Sequence, residues 1–160
     1  AAMWSSDVFQ VAEKIVPAGA IYFQMHEDDV RRVLQHPSSM VGSDGLPRDP
    51  NPHPRLWGTF PRVISHYSRD EQLFPMTTAI YKMTGMSAQR FSLKDRGLIQ
   101  ENYFADIVVF DPKKINETAT FQDPKQKADG IEYVFVNGVL TYTKKEMTGN
   151  RAGKFLERNK

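Results

Sequence analysis

The chain contains, in succession, AIYFQM at residues 20–25, EDDVRRVLQ at 27–35 and SSMVG at 38–42. The first segment is apolar on both faces apart from one glutamine, which is typical of a strand that helices cover in a parallel sheet. The second segment repeats apolar residues at helical spacing and begins with acidic residues, which suit the positive end of a helix dipole. An amphipathic helix at residues 5–17 precedes both. These segments predict the order helix, strand, helix, strand of an α/β fold.

Two parallel strands do not form a stable sheet by themselves. In a closed α/β barrel, each strand has a hydrogen-bonding neighbour on both sides. We therefore expect these segments to belong to a larger unit, in which other strands complete the sheet.

The region after the second strand is rich in proline and then becomes helical. Residues 43–62 contain five prolines and are predicted to form a long loop. Helices are predicted at 61–69 and at 76–84, with Gly85 as the C-terminal cap of the second helix. A short helical turn is expected at 87–91.

From residue 97 the hydrophobic period changes from that of a helix to that of a strand. Residues 105–110 form a β-rich segment, and 131–136 and 139–142 flank Asn137-Gly138. Because Asn-Gly readily adopts the positive φ angles of a type I′ turn, this arrangement predicts a β-hairpin.

Composition limits the classes of function. The chain has 160 residues, a hydrophobic fraction of 40%, a charged fraction of 25% and a formal net charge of +2, which suits a globular protein and provides no dense basic face for nucleic acid. No cysteine is present, which excludes disulfides and thiolate metal ligands within this chain. No apolar run approaches the roughly 20 residues that span a bilayer. We expect a soluble, cytoplasmic protein without nucleic-acid or membrane partners.

Three polar residues are the candidates for chemistry. Asp44 follows a predicted strand, where a carboxylate can bind a metal or act as a general base, although Ser-Asp-Gly is also ordinary turn chemistry. Arg55 offers paired donors for a substrate carboxylate; alternatively, it is a surface arginine or pairs with Asp49. His53 is either a ligand or proton carrier, or a structural hydrogen-bonding residue.

A resemblance to a known family covers nearly the whole chain in order. It rests on MVGSDG at residues 40–45, HPRLWGTFPR at 53–62, KMTG at 82–85, DRG at 95–97 and ADIVVFDP at 105–112. These motifs resemble the N-acyl-D-amino-acid deacylases of the amidohydrolase superfamily. The last two are shared widely among amidohydrolases, whereas the Gly-Ser-Asp-Gly and His-Pro-Arg pair is more specific.

The resemblance implies a fold and a cofactor. Residues 1–91 would be the C-terminal portion of a metal-dependent (β/α)8 barrel, and residues 92–160 would form part of a small β-sandwich with a hairpin and a tail. The family uses zinc in the barrel mouth to hydrolyse the amide bond of N-acyl-D-amino acids. The family's His-x-His motif, cysteine and two further histidines would lie upstream of this chain. We therefore expect the chain alone to be inactive and to self-associate through uncovered strand edges.

The resemblance also implies roles for the three candidates. Asp44 would be the catalytic acid and base, with a possible second role as a metal ligand. It would deprotonate the attacking water and then protonate the departing amine. Arg55 would bind the α-carboxylate of the substrate, with His53 beside it in the substrate-binding loop.

Two other functions remain open at this point. A cyclic amidohydrolase of the dihydroorotase or hydantoinase kind would share the broad superfamily motifs but not the His-Pro-Arg loop. A non-catalytic interaction module could have kept the β portion alone, but the predicted barrel strands would then leave unpaired edges.

Overall fold

The computed structural model describes residues 7–16, 24–144 and 146–157. Its helices are α1 (Val8–Ile15), α2 (Glu27–Gln35), α3 (Arg55–Arg62), a π-helix (Val63–Asp70), α4 (Met76–Met83) and α5 (Gly85–Arg90). Its strands are β1 (Ile107–Phe110), β2 (Ile131–Val136) and β3 (Val139–Thr143), which form one antiparallel sheet in the order β1-β2-β3. The predicted combination of helices with β structure is thus confirmed. None of the helices in these ranges has both the length and the hydropathy of a membrane span.

The core lies between the helices. It is formed by Val63 and Tyr67 of the π-helix together with Phe74 and Ala79, all less than 9% exposed. Partly buried apolar residues pack against this cluster: Val30, Leu34, Val41, Leu73 and Met83. The helix predicted at 27–35 is confirmed, and its apolar stripe contributes the first two of these residues. Burial of an apolar side chain of this size contributes roughly 1.5–3 kcal/mol.

The strand predicted at residues 38–42 is not present. This segment is irregular, and its one backbone hydrogen bond to a distant element in the described ranges joins Val41 N to Lys82 O at 3.4 Å. A strand requires a neighbour that pairs along its length, and no such neighbour lies beside it there. Of the strand predicted at 20–25, residues 20–23 lie outside the described ranges, and Gln24 and Met25 are irregular.

The loop predicted at 43–62 ends at residue 54, because α3 begins at Arg55. The N–H of Arg55 donates to Nδ1 of His53 at 3.0 Å, and the N–H of Gly58 donates to the carbonyl of Pro54 at 2.9 Å. A proline just before a helix is favourable because its φ angle is already helical. The prolines that suggested a continuous loop therefore include one that helps to start a helix.

The helix predicted at 61–69 is present, but as a π-helix that continues α3 without a break. The N–H of Glu71 donates to the carbonyl of His66 at 2.9 Å, a bond that spans five residues. Pro61, in the last turn of α3, has no N–H for the usual helical bond, and an interrupted bonding pattern is a common cause of helix irregularity. The π-helix contributes to both the core and the surface that meets the β region.

Gly85 does not cap α4, as the sequence suggested, but begins α5 after a sharp turn at Thr84. A Cβ atom at Gly85 would lie 3.0 Å from the ring of Tyr81 and 3.1 Å from the side chain of Leu98. The glycine is therefore explained by close packing rather than by helix termination.

The predicted hairpin is confirmed. Asn137 and Gly138 have φ angles of 49° and 78°, and Val136 of β2 pairs with Val139 of β3. Positive φ at both central residues is the property for which Asn-Gly is selected in type I′ turns. The strand predicted at 105–110 begins two residues later, at Ile107.

Candidate functional site

Asp44 lies in the irregular segment between α2 and α3. Its φ angle is 48°, in the left-handed region that aspartate adopts more readily than most residues. Its side chain is 81% exposed, so the carboxylate is accessible to a ligand. Ser43 Oγ accepts a hydrogen bond from Gly45 N at 3.3 Å and closes a tight turn around Asp44.

Arg55, the first residue of α3, holds Asp44 by two contacts. Its Nη2 lies 2.7 Å from Oδ2 of Asp44, and its Nε donates to the backbone carbonyl of Asp44 at 2.9 Å. The structure therefore brings together the carboxylate and the guanidinium that the sequence had singled out separately. Asp49, the alternative partner, instead accepts a hydrogen bond from Asn51 N at 3.0 Å.

Gly45 permits this arrangement. A Cβ atom at this position would lie 2.6 Å from Cδ1 and 2.8 Å from Cα of Leu56, which is shorter than real Cβ contacts. Any side chain here would push the Asp44 turn away from the first turn of α3. Asp44 thus provides an exposed carboxylate, and Gly45 lets the backbone next to it approach α3 closely.

His53 lies beside the pair and is held in place by two contacts. Its Nδ1 accepts the N–H of Arg55 at 3.0 Å, and its ring packs edge-on against Phe121, with 5.0 Å between ring centroids. Burial, followed by the positive charge of Arg55, lowers the pKa of His53 below its ordinary value. Because Nδ1 is an acceptor, the neutral ring carries its proton on Nε2. Phe121 belongs to the Ala119-Thr-Phe121 stretch that also resembles the family, but its contact with His53 was not predicted, because 68 residues separate the two.

A separate group of possible metal ligands joins α2, the π-helix and the residue that follows it. Ligand atoms of Glu27, His66 and Glu71 lie within 4.8 Å of one another. However, Arg31 donates to both carboxylate oxygens of Glu71, at 2.7 and 2.9 Å, and Tyr67 donates to Glu27 at 2.9 Å. Because the Arg31 guanidinium already occupies both oxygens of Glu71, this group is an ion-pair network rather than a cation site.

The residues around Asp44 do not form a complete zinc site. Within the described ranges, no cluster of three ligand-type side chains includes Asp44. Catalytic zinc normally has three protein ligands and one open position. Asp44 alone could supply one of them, and in this structure its carboxylate is paired with Arg55.

Comparison with known proteins gives a consistent result. A D-aminoacylase of Alcaligenes xylosoxydans xylosoxydans is 54% identical over 150 residues, which cover 94% of this chain and 31% of the relative. A solved D-aminoacylase, described for the functional role of its binuclear metal centre, matches with a TM-score of 0.93 and 51% identity, over 99% of this chain and 33% of that one.

A second solved structure is that of a deacylase named for a different substrate, N-acyl-D-glutamate. The N-acyl-D-glutamate deacylase of Bordetella bronchiseptica, complexed with zinc and a phosphonate mimic of the tetrahedral intermediate, matches with a TM-score of 0.91 and 44% identity, over 99% of this chain and 33% of that one. The chain therefore spans about a third of the length of these relatives. The model of the amidohydrolase family matches residues 5–142. On this match, together with the similarity to D-aminoacylase, the chain belongs to the amidohydrolase family.

Proposed function

We propose that this chain contributes Asp44 and Arg55 to a zinc-dependent hydrolase that cleaves N-acyl-D-amino acids into a carboxylate and a free D-amino acid. In this proposal, residues 1–91 belong to the C-terminal part of a (β/α)8 barrel and residues 92–160 to a small β-sandwich. The observation that carries the proposal is the pairing of an accessible carboxylate with a guanidinium at 2.7 Å. Similarity to D-aminoacylase supports the choice of substrate.

Asp44 acts as the general acid and base in this reaction. Its exposed carboxylate accepts a proton from the water that attacks the amide carbon, and it then transfers that proton to the nitrogen of the departing amine. A single carboxylate can do both because the proton gained in the first step is the one needed in the second.

Arg55 binds the α-carboxylate of the substrate. A guanidinium and a carboxylate form paired hydrogen bonds that fix orientation as well as affinity, so the contact also selects the enantiomer. Since Nε and Nη2 of Arg55 face Asp44, the substrate carboxylate reaches the remaining N–H groups or displaces the Asp44 side chain. The guanidinium that binds the substrate thus also contacts the catalytic carboxylate.

His53 supports Arg55 and completes this side of the substrate pocket. Its Nδ1 is engaged with the Arg55 backbone, which leaves the Nε2–H group as a donor to the substrate. Zinc enters the proposal because the Bordetella relative was solved with zinc. The remaining ligands would come from parts of the enzyme outside the ranges described in this structure.

Hydrolysis of N-acetyl-D-methionine with added zinc tests the function. The longest polypeptide that contains this chain, called the full-length protein below, should release free D-methionine. The same protein should act far more slowly on N-acetyl-L-methionine, and this chain alone should be inactive because the zinc ligands are incomplete. Activity of the short chain, or ring opening of a dihydroorotate or hydantoin in place of deacylation, would contradict the proposal.

The cytoplasmic location of the protein and its lack of nucleic-acid and membrane partners stay predictions.

A further inference from the structure

Lys82 is a charged residue inside the helical region. It belongs to α4 and is only 2% exposed. Its Nζ donates to the carbonyl of His36 at 2.6 Å, to the carbonyl of Ser39 at 3.0 Å and to Ser39 Oγ at 3.0 Å. An ammonium group has three donors, so these bonds use all of them.

The three bonds compensate for burial of the charge. Removal from water lowers the pKa of Lys82, because burial disfavours its charged form. The three acceptors offset this cost, and the location of the ammonium at the end of a helix stabilises its charge further. His36 is the C-terminal cap of α2, where the negative end of the helix dipole favours a cation. An ammonium on a residue that is only 2% exposed, with three acceptors around it, is a structural anchor rather than a nucleophile or a proton carrier.

The anchored segment leads directly to Asp44. Besides the side-chain bonds to residues 36 and 39, the backbone carbonyl of Lys82 accepts the N–H of Val41 at 3.4 Å. Val41 also packs against the core cluster, and Asp44 follows three residues later. Lys82 thus fixes the segment before Asp44, while Arg55 holds Asp44 from the other side.

We propose that Lys82 is a positioning residue for the Asp44 carboxylate, acting through the backbone of residues 36–41. This inference rests on the proposed function. Without the three ammonium bonds, the Val41–Lys82 backbone bond would be the remaining hydrogen bond from this segment to α4, and Asp44 would no longer be presented in one orientation. Arg55 lies on α3, and the Lys82 ammonium bonds residues 36 and 39 instead, so binding of the substrate carboxylate should be maintained. The signature is therefore a fall in kcat without a matching rise in KM.

The test compares three variants of the full-length protein with zinc bound. Lys82→Met keeps the apolar stem and removes the ammonium, and Ser39→Ala removes one of its three acceptors. Thr141→Val is the matched control, because it removes the hydrogen bond from a buried hydroxyl to the Val134 carbonyl within the β-sheet. Each rate is normalised to the zinc content and the folded fraction of the same sample.

We expect Lys82→Met to lower kcat for N-acetyl-D-methionine by at least about tenfold, since small displacements of reacting groups are costly. KM should stay within about twofold. Ser39→Ala should lower kcat by a smaller factor. Thr141→Val should leave kcat unchanged even where it lowers Tm as much as Lys82→Met does. An unchanged kcat for Lys82→Met, a parallel rise in KM, or an equal loss in the control would overturn the proposal.

Hydrogen–deuterium exchange separates this inference from the proposed function. In Lys82→Met, amides of residues 36–45 should exchange faster than in the unmodified protein, while those of the β2–β3 hairpin should not change. Unchanged exchange at 36–45 would overturn the anchoring role even if the enzyme is a deacylase. If the unmodified protein does not hydrolyse any N-acyl-D-amino acid, the proposed function fails, and the exchange data alone decide whether Lys82 fixes this segment.

Discussion

The two ends of α3 carry similar ion pairs in different surroundings. At the first residue of the helix, Arg55 lies 2.7 Å from Asp44, and at the last residue, Arg62 lies 2.6 Å from Glu117. The Asp44 side chain is 81% exposed, whereas that of Glu117 is 19% exposed. Glu117 also accepts a hydrogen bond from Ser65 Oγ at 2.9 Å, and Ser65 is fully buried.

The difference separates a functional contact from a structural one. An exposed ion pair contributes about 0–1 kcal/mol to stability, so its partners can be exchanged at little cost when a ligand arrives. The Glu117 carboxylate is only 19% exposed and accepts a hydrogen bond from a buried hydroxyl, so its loss leaves both Arg62 and Ser65 without their acceptor. The N-terminal end of α3 can thus serve the reaction, while the C-terminal end joins the helices to the segment between β1 and β2.

The largest effect should come from Asp44→Asn in the full-length protein. We expect kcat for N-acetyl-D-methionine to fall by about 10²- to 10⁴-fold, because the amide cannot accept and return the proton. Stability should change little, since the pair is exposed. Steady-state kinetics and thermal unfolding of the same preparation provide both values. Turnover near that of the unmodified enzyme would remove Asp44 from the chemistry.

Arg55→Gln should separate binding from chemistry at the same end of the helix. For substrates with a free α-carboxylate, we expect kcat/KM to fall by about 10- to 100-fold, the loss typical of a charged hydrogen-bonding partner. The corresponding α-carboxamide substrate should be affected much less, because it has no carboxylate to lose. Equal losses on both substrates would show that Arg55 does not recognise the carboxylate.

Glu117→Gln should affect stability instead of turnover. The variant leaves the Arg62 guanidinium without its carboxylate, and we expect the free energy of unfolding to fall by about 1–3 kcal/mol. The value of kcat per zinc-loaded site should remain unchanged, since Glu117 pairs with Arg62, the last residue of α3. Urea denaturation of the variant and of Asp44→Asn, side by side, provides the comparison. A larger stability loss in Asp44→Asn would reverse our assignment of the two pairs.

The smallest effect concerns the pH dependence of stability, and it tests a third arginine–carboxylate pair. The hydrogen bond from Arg31 lowers the pKa of Glu71. A carboxylate with a lowered pKa in the folded state binds fewer protons there than in the unfolded chain, so stability increases with pH in the acidic range. The contribution is complete above about 4.5, the ordinary pKa of glutamate, and is lost as the pH falls through the folded-state value.

Glu71→Gln should therefore flatten the fall in Tm below about pH 5, relative to Glu101→Gln, which changes an exposed glutamate in the turn before β1. Thermal unfolding between pH 3 and 7, about the range of carboxylate titration, measures this difference. Identical acid profiles of the two variants would show that the Arg31 pair adds nothing to stability.

Local signals in the sequence predicted the elements that depend on local interactions. The helix at Glu27–Gln35 has its own apolar stripe and acidic first turn, and the hairpin at Asn137-Gly138 requires only the φ preferences of two residues. The motifs also led to Asp44 and Arg55, although only the structure shows that Arg55 holds Asp44 by both its side chain and its backbone carbonyl.

Features that depend on distant partners could not be predicted in this way. A strand at 38–42 requires neighbours that do not lie beside it in the described ranges. The start of α3 depends on a histidine side chain and a proline in what looked like a loop. In the sequence, Lys82 is an ordinary helix residue. Only the structure shows that three acceptors, 43 to 46 positions away, surround its ammonium group.

The most direct test of the account is a crystal structure of full-length Asp44→Asn with N-acetyl-D-methionine bound. The account predicts that the α-carboxylate lies within hydrogen-bonding distance of the Arg55 guanidinium and that the side chain of residue 44 faces the scissile amide. A substrate carboxylate bound by a different cation, with Arg55 still engaged only by residue 44, would contradict it.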